Sequence, residues 1–125
     1  MAIAQGVPSQ FLVYPKSSQT PFLDWALSEN TSPKTAWVHA VSWGTEEYDY
    51  AKDGNLDRLN VELMKFGVRG VSVIFATGDN GAGCHLGKYE TNFPASSPFV
   101  TAVGGTWIPP TTSTFQIEGI SPTVM

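Results

Sequence analysis

An acidic side chain, Asp79, stands in a glycine-rich stretch that directly follows a mostly apolar run, residues 71–75. Glycines occupy positions 78, 81 and 83. Glycine allows positive φ angles and a close approach of the backbone to another group. A carboxylate at the end of a buried strand costs free energy unless it has a partner or a chemical role. α/β enzymes present catalytic groups in this arrangement, in which a strand leads into a glycine turn that carries an exposed acid at the carboxyl end of a parallel sheet.

A second apolar run, residues 36–43, ends in Ser42-Trp43-Gly44. A glycine at a strand end indicates that another backbone passes nearby, and an extended peptide could pair along such an edge. A plain strand terminus explains the same pattern when it is taken alone. Residues 92–98 contain two prolines, which fix φ and restrict the residues before them. This segment either walls a pocket or routes the chain, and routing is the simpler interpretation.

The remaining reactive residue types favour structural roles. His39 lies among apolar residues and is expected to be a core histidine, whereas His85 has no second histidine or cysteine at ligand spacing, so no metal site is expected. The acidic residues between positions 46 and 57 lack the pattern of a calcium loop and are expected to form a solvated face. Cys84 is the only cysteine, which excludes an internal disulfide. Asn30-Thr31-Ser32 is a glycosylation sequon that matters only in a secreted protein.

Four strands and two helices are predicted to position these residues. The strands are expected at residues 11–14, 36–43, 72–77 and 100–103. One helix should begin at Thr20-Pro21, with the Thr20 hydroxyl as its cap. The other should begin at Leu56 and end at Gly70 in a left-handed turn. The third strand is nearly continuously apolar, which predicts burial of both its faces. Residues 44–54 are expected to form an acidic connection, and residues 107–125 an irregular tail.

Alternating strands and helices predict an α/β fold with a doubly wound, mostly parallel sheet. The chain has 125 residues, 42% hydrophobic and only 14% charged, against a usual charged share of about 25%. Such a low charge content suggests a piece of a larger protein. The net charge of −4 without a basic stripe excludes nucleic acid as a partner. No run is apolar enough to span a membrane, and residues 1–7 have no signal-peptide pattern.

Several motifs together resemble the sedolisins, the serine-carboxyl peptidases, and within them the tripeptidyl-peptidases. The resemblance extends over nearly the whole chain. Its motifs are Pro21-Phe22-Leu23, Ser42-Trp43-Gly44, Asn60-Val61-Glu62-Leu63-Met64-Lys65, Arg69-Gly70, Gly78-Asp79-Asn80-Gly81-Ala82-Gly83-Cys84, Phe93-Pro94-Ala95-Ser96-Ser97-Pro98 and Val103-Gly104-Gly105-Thr106. The last three are highly specific.

The resemblance implies a subtilisin-like fold and hydrolysis of peptide bonds in a peptide or protein substrate. It places Asp79 in the oxyanion hole and Ser42, Trp43, Gly44 and Gly78 in the substrate cleft. A carboxyl group can donate a hydrogen bond to an oxyanion only when it is neutral. The resemblance therefore implies an acidic setting, lysosomal or secreted. It implies no cofactor in this segment, because the family's calcium site lies outside the chain.

The chain also departs from the family pattern. It lacks the Gly-Thr-Ser-Ala motif of the nucleophile, and the family's catalytic glutamate and aspartate match positions before Met1. Residues 1–125 are therefore expected to be an internal segment of a catalytic domain, inactive alone and partnered by the rest of that domain. Two alternatives remain open. One is a peptide-binding pseudoenzyme that retains the edge at residues 42–44. The other is a small phosphate- or nucleotide-binding protein, which the absence of a P-loop lysine–hydroxyl pair disfavours.

Overall fold

Residues 5–14, 18–52, 54–79, 81, 83–85, 87–107 and 118–119 are described by a computed structural model of the chain. Its helices are α1 (Pro21–Thr31), α2 (Glu47–Lys52) and α3 (Leu56–Val68). Its strands are β1 (Val38–Val41), β2 (Thr45–Glu46), β3 (Ser72–Ala76), β4 (Gly83–His85), β5 (Lys88–Glu90), β6 (Asn92–Phe93), β7 (Thr101–Val103), β8 (Thr106–Trp107) and β9 (Glu118–Gly119). No helix in these residues has the length and apolarity to cross a membrane.

Three parallel strands form the central sheet in the order β1-β3-β7. Val41 is paired with Phe75, and Ala76 with Val103, so the carboxyl ends of all three strands lie at one edge. Three two-stranded antiparallel pairs accompany this sheet: β2-β6, β4-β5 and β8-β9. The parallel sheet with its helices confirms the predicted α/β class.

Helices α1 and α3 cover one face of the sheet. Trp25 of α1 stacks on Phe66 of α3 with ring centroids 5.3 Å apart and meets Phe75 of β3 edge-on at 6.0 Å. The carbonyls of Glu29 in α1 and of Ser32 directly after it accept hydrogen bonds of 2.9 Å from the Arg69 guanidinium. The buried core therefore lies between these two helices and the sheet.

The opposite face of β3 is not fully covered. Its burial alternates: Val73 and Phe75 are buried, Ser72 is exposed, and Ile74 and Ala76 are half-buried. The prediction that both faces are buried was wrong for the residues that the structure describes. A continuous apolar run reports strand propensity and cannot by itself tell which side has a neighbour.

The end of α3 follows the sequence prediction closely. The Val71 amide donates to the Phe66 carbonyl at 2.9 Å, the Gly70 amide donates to the Gly67 carbonyl at 3.0 Å, and Gly70 has a φ of +74°. These two bonds form a Schellman motif, in which glycine is favoured at the left-handed position. The predicted left-handed turn at Gly70 is confirmed.

Other local predictions need correction. Residues 11–14 form no strand, because no neighbour in the described residues pairs with them. Phe11 and Val13 are 87% and 77% exposed, and the alternate residues Leu12 and Tyr14 pack against the core. The predicted 36–43 strand is limited to Val38–Val41. The Thr20 hydroxyl makes no capping bond to the backbone and instead donates to the Asp24 carboxylate at 3.3 Å.

Two stretches predicted as loops contain regular structure. Residues 44–54 include β2 and α2, because Tyr50 of α2 buries its ring against Phe93, with centroids 4.8 Å apart. The glycine-rich stretch contains β4, which pairs with β5. Of the predicted irregular tail, β9 pairs with β8, and residues 108–117 and 120–125 lie outside the described part of the chain.

Candidate functional site

Three segments meet at the carboxyl edge of the sheet. Residues 42–44 follow β1, residues 77–79 follow β3, and residues 104–105 follow β7. Because these strands are parallel and in register, the segments emerge at the same end. The structure thus places Asp79 and Gly78 at the sheet edge that also carries Ser42, Trp43 and Gly44. Their roles in one site stay a prediction.

The turn that presents Asp79 depends on Gly78. Gly78 has a φ of +88°, a conformation that residues with a Cβ rarely adopt. An added Cβ would also collide with the side-chain amide of Asn92. That amide donates a 2.7 Å hydrogen bond to the carbonyl of Thr77. Asp79 is exposed directly after this turn, so its carboxyl group is accessible to a ligand.

The segment Ser42-Trp43-Gly44 is exposed along its whole length, and Trp43 is 73% exposed. A Cβ at Gly44 would lie 3.1 Å from the carbonyl oxygen of Phe93, which is tighter than ordinary packing. The predicted close backbone approach at Gly44 is therefore present, and the neighbour is residue 93 of the same chain. Directly after Gly44, Thr45 pairs with Phe93.

A cleft of about 230 Å³ opens beside this segment. Its lining residues are Gln19, Pro21, Phe22, Trp43, Gly44, Thr45, Asp49 and Tyr50. Asp49 is engaged by Lys52, whose ammonium lies 2.9 Å from the carboxylate. The cleft therefore combines aromatic rings with polar side chains and backbone, a lining that can accept one side chain of an extended peptide.

Residues 92–98 support the site more directly than the sequence indicated. Ser96 donates a hydrogen bond to the Glu47 carboxylate, which also accepts from the Thr91 hydroxyl at 3.1 Å. Ser97 donates to the Asn60 amide oxygen at 2.6 Å. The segment thus connects α2 and α3 to the carboxyl edge. Asn92 is the residue that sequence reasoning missed, since its role follows from the β2-β6 register, which no local pattern signals.

His39 is the core histidine that the sequence predicts. It is 6% exposed, its Nε2 lies 2.9 Å from the Thr35 hydroxyl, and the centroids of the mutually stacked Trp25 and Phe66 rings lie 5.6 Å and 5.4 Å from its own. Burial lowers the pKa of His39, while the nearby Glu29 carboxylate and a hydrogen bond with the backbone of Ala36 partly oppose this effect. His39 belongs to the covered face and takes no part in the candidate site.

The structure does not describe the side chains of Cys84 and His85, so the predictions made for them stay predictions. Among the described residues, no group of three or more His, Cys, Asp or Glu side chains is arranged to hold a metal ion. The acidic residues after Gly44 are only partly the solvated face that was predicted. Glu47 in particular is half-buried and bonded to Thr91 and Ser96.

Known proteins resemble this chain. No protein-family model matches it. Tripeptidyl-peptidase 1 of Bos taurus is 45% identical over 93 residues, which is 71% of this chain and 16% of the relative. Tripeptidyl-peptidase 1 of Homo sapiens is 44% identical over 92 residues, 70% of this chain and 16% of the relative. The chain thus spans about one sixth of these relatives.

The fold is also similar to a solved structure, Pseudomonas sedolisin (serine-carboxyl proteinase) complexed with two molecules of pseudo-iodotyrostatin. The TM-score is 0.59 at 34% identity, and the match covers 73% of this chain and 25% of the sedolisin chain. The sequence and structural similarities confirm the resemblance to the sedolisins that the sequence predicts. The chain is therefore part of a domain of the sedolisin family, with that family's subtilisin-like α/β fold.

Proposed function

We propose that this chain supplies the oxyanion group and one wall of the substrate cleft of a serine-carboxyl peptidase that releases tripeptides at acidic pH. One observation carries the proposal. Asp79 follows the left-handed turn at Gly78 at the end of β3, at the same sheet edge as the exposed Ser42-Trp43-Gly44 segment. An oxyanion donor and a peptide-binding strand must stand at one edge if both are to contact a single scissile bond.

In this mechanism, the exposed backbone of residues 42–44 pairs with an extended peptide substrate, and the cleft beside Trp43 receives one of its side chains. A serine elsewhere in the parent enzyme passes its hydroxyl proton to the family's glutamate and bonds to the carbonyl carbon. The π electrons of the carbonyl move to its oxygen, which becomes the negatively charged oxygen of the tetrahedral intermediate. A protonated Asp79 carboxyl donates a hydrogen bond to that oxygen. Such a donor contributes about 3–4 kcal/mol of transition-state stabilisation in related acyl-transfer chemistry. Because only a neutral carboxyl can donate this bond, the proposal includes an acidic setting, lysosomal or secreted, for the parent enzyme.

The rest of the peptidase domain is the proposed partner of this chain. Val38 and Val103, which point to the uncovered face of the sheet by their register, are 56% and 52% exposed. An exposed apolar sheet face is typical of a surface that another element covers. The 125 residues contain no Gly-Thr-Ser-Ala motif. We therefore expect the chain alone to cleave no peptide.

A chimera tests the proposal. In Bos taurus tripeptidyl-peptidase 1, the matched segment is replaced by the corresponding residues of this chain, and release of a fluorescent leaving group from a tripeptide amide is followed from acid to neutral pH. We expect turnover with an acid optimum from the chimera and none from the isolated chain. A chimera whose catalytic serine is replaced by alanine is the control. A folded, monodisperse chimera that binds peptides without turnover would overturn the proposal and favour the peptide-binding alternative.

A further inference from the structure

Asn92 links the two halves of the candidate site. Its backbone lies in β6 and pairs with Glu46 of β2, two residues after Gly44. Its carbonyl accepts a hydrogen bond of 2.9 Å from the Ser96 amide, which fixes the start of the 92–98 segment. The backbone of Asn92 is therefore held in place against the substrate-side segment.

The side chain of Asn92 reaches the other half of the site. Its amide nitrogen donates to the Thr77 carbonyl at 2.7 Å. The amide also occupies the space where a side chain at Gly78 would project. Thr77 is also held by β7, since its amide donates to the Val103 carbonyl at 3.1 Å. Both polar groups of the Thr77 backbone are thus fixed immediately before the turn that carries Asp79.

We propose that Asn92 is a positioning residue that fixes the direction of the Asp79 carboxyl relative to the Ser42–Gly44 segment; this rests on the proposed function. An oxyanion donor is effective only within a narrow range of distance and angle to the developing charge. A glycine turn has a wide choice of conformations. The amide of Asn92 restricts that choice by holding Thr77 and filling the space beside Gly78. A rigid turn keeps the Asp79 carboxyl aimed before substrate arrives, which lowers the cost of reaching the transition state.

Measuring kcat and KM separately for variants of the chimera tests this role. Asn92→Ala should lower kcat by about 10- to 100-fold and leave KM nearly unchanged, because misplacement of a catalytic group by roughly 1 Å acts on the transition state. Asn60→Ala is the matched control. Asn60 holds the same 92–98 segment through Ser97, and within the described part of the chain no hydrogen bond joins its side chain to the Gly78 turn. The kcat of the Asn60→Ala chimera should stay close to that of the unmodified chimera.

Asn92→Asp gives a pH signature that a merely structural role would not produce. A neutral carboxyl at this position can donate to the Thr77 carbonyl, whereas a carboxylate cannot. The kcat of Asn92→Asp divided by that of the unmodified chimera should therefore rise as the pH falls. The same ratio for Asn92→Ala should stay flat.

A double-mutant cycle with Asp79→Ala decides whether Asn92 acts through Asp79. If it does, adding Asn92→Ala to Asp79→Ala should lower kcat little further. An equal loss in both backgrounds, a rise in KM alone, or a flat Asn92→Asp ratio would overturn the positioning role while leaving the proposed function intact. If Asp79→Ala alone leaves kcat and KM unchanged, the oxyanion assignment itself fails, and the role of Asn92 fails with it.

Discussion

The side chain of Asn30 donates two hydrogen bonds to Glu62, one to its carbonyl at 2.9 Å and one to its carboxylate at 3.0 Å. Glu62 is only 1% exposed, and the Lys65 ammonium lies 2.7 Å from its other carboxylate oxygen. A buried carboxylate is tolerated only when it is paired and hydrogen-bonded. Asn30 thus joins α1 to α3 and is engaged in the fold, although it begins a glycosylation sequon.

We expect Asn30→Ala to lower the free energy of unfolding of the chain by about 1–3 kcal/mol, since it leaves a buried charged group short of a donor. Urea titration followed by tryptophan fluorescence measures this change. Asn55→Ala is the matched control, because Asn55 precedes α3 without a side-chain capping bond. Equal losses from the two substitutions would contradict a specific contribution of the Asn30–Glu62 contact.

The elements whose structure is specified by a local residue pattern were predictable from the sequence. Helix α3 has apolar residues at helical spacing and a glycine that ends it, and both features are local. Strand β3 and the turn at Gly78 are local in the same sense. The 11–14 segment was not predictable, because its alternating pattern is that of a strand but no neighbour pairs with it in the described residues. Pairing is a property of the tertiary structure.

The candidate site likewise has residues that local motifs predict and residues whose role depends on non-local contacts. Asp79 and Ser42-Trp43-Gly44 carry recognisable motifs, and parallel strand order is enough to bring them to one edge. The contribution of Asn92 depends on a hydrogen bond to Thr77, 15 residues earlier in the chain, and on the pairing of residues 92–93 with residues 45–46. Helix α2 and strand β2 likewise exist because Tyr50 and Phe93 pack together. Non-local contacts of this kind produce no periodic residue pattern from which the sequence could predict them.

The uncovered face of the sheet should make the isolated chain self-associate. Val38 and Val103 lie on this face by register and are more than half exposed. Exposed apolar sheet surfaces and free strand edges favour association. We expect concentration-dependent oligomers in sedimentation experiments, and the double substitution Val38→Thr/Val103→Thr should reduce them.

Val68→Thr is the control for this experiment, since Val68 is 84% exposed but belongs to α3. It should leave the association unchanged. A chain that remains monomeric at all concentrations and unfolds cooperatively would show that the open face needs no partner.

His39 should make the chain less stable at acid pH. Burial lowers its pKa below the ordinary value of 6.5 in the folded state, so the unfolded state binds the proton more readily. The stability that the neutral His39 contributes is therefore fully present above pH 6.5 and is lost as the pH falls through the folded-state pKa. We expect the urea midpoint to drop as the pH falls below the ordinary His39 pKa of 6.5, and His39→Gln to flatten this dependence.

Glu29 provides a second test of the same argument. Its carboxylate lies 4.0 Å from His39 Nε2 and raises the pKa that burial lowers. Glu29→Gln should therefore steepen the loss of stability at acid pH. If the pH dependence is the same with and without His39, this histidine does not control it.

The Asn92 amide beside Gly78 predicts that substitution by alanine destabilises the chain more at Gly78 than at another glycine with positive φ, Gly87. Gly78 and Gly87 have φ values of +88° and +75°, but an added Cβ would meet Asn92 at Gly78 and nothing within 4 Å at Gly87. A left-handed alanine costs about 1–2 kcal/mol at either position. Gly78→Ala should cost more in the chain's unfolding free energy, because it also displaces the Asn92 amide. In an Asn92→Ala background the two losses should become similar, and an unchanged difference would contradict the predicted clash.

Asp79 is the residue on which the proposed chemistry depends most. In the chimera, Asp79→Ala should lower kcat by about 10²–10³-fold and leave KM nearly unchanged, because the lost hydrogen bond forms mainly in the transition state. Asp79→Asn should have a smaller effect and extend activity towards neutral pH, since an amide donates a hydrogen bond at any pH. Asp57→Ala, which removes an exposed carboxylate from the first turn of α3, is the control and should change neither constant. Complete pH–rate profiles of the three variants measure these effects, and an Asp79→Ala variant that changes only KM would show that Asp79 contacts substrate without stabilising the oxyanion.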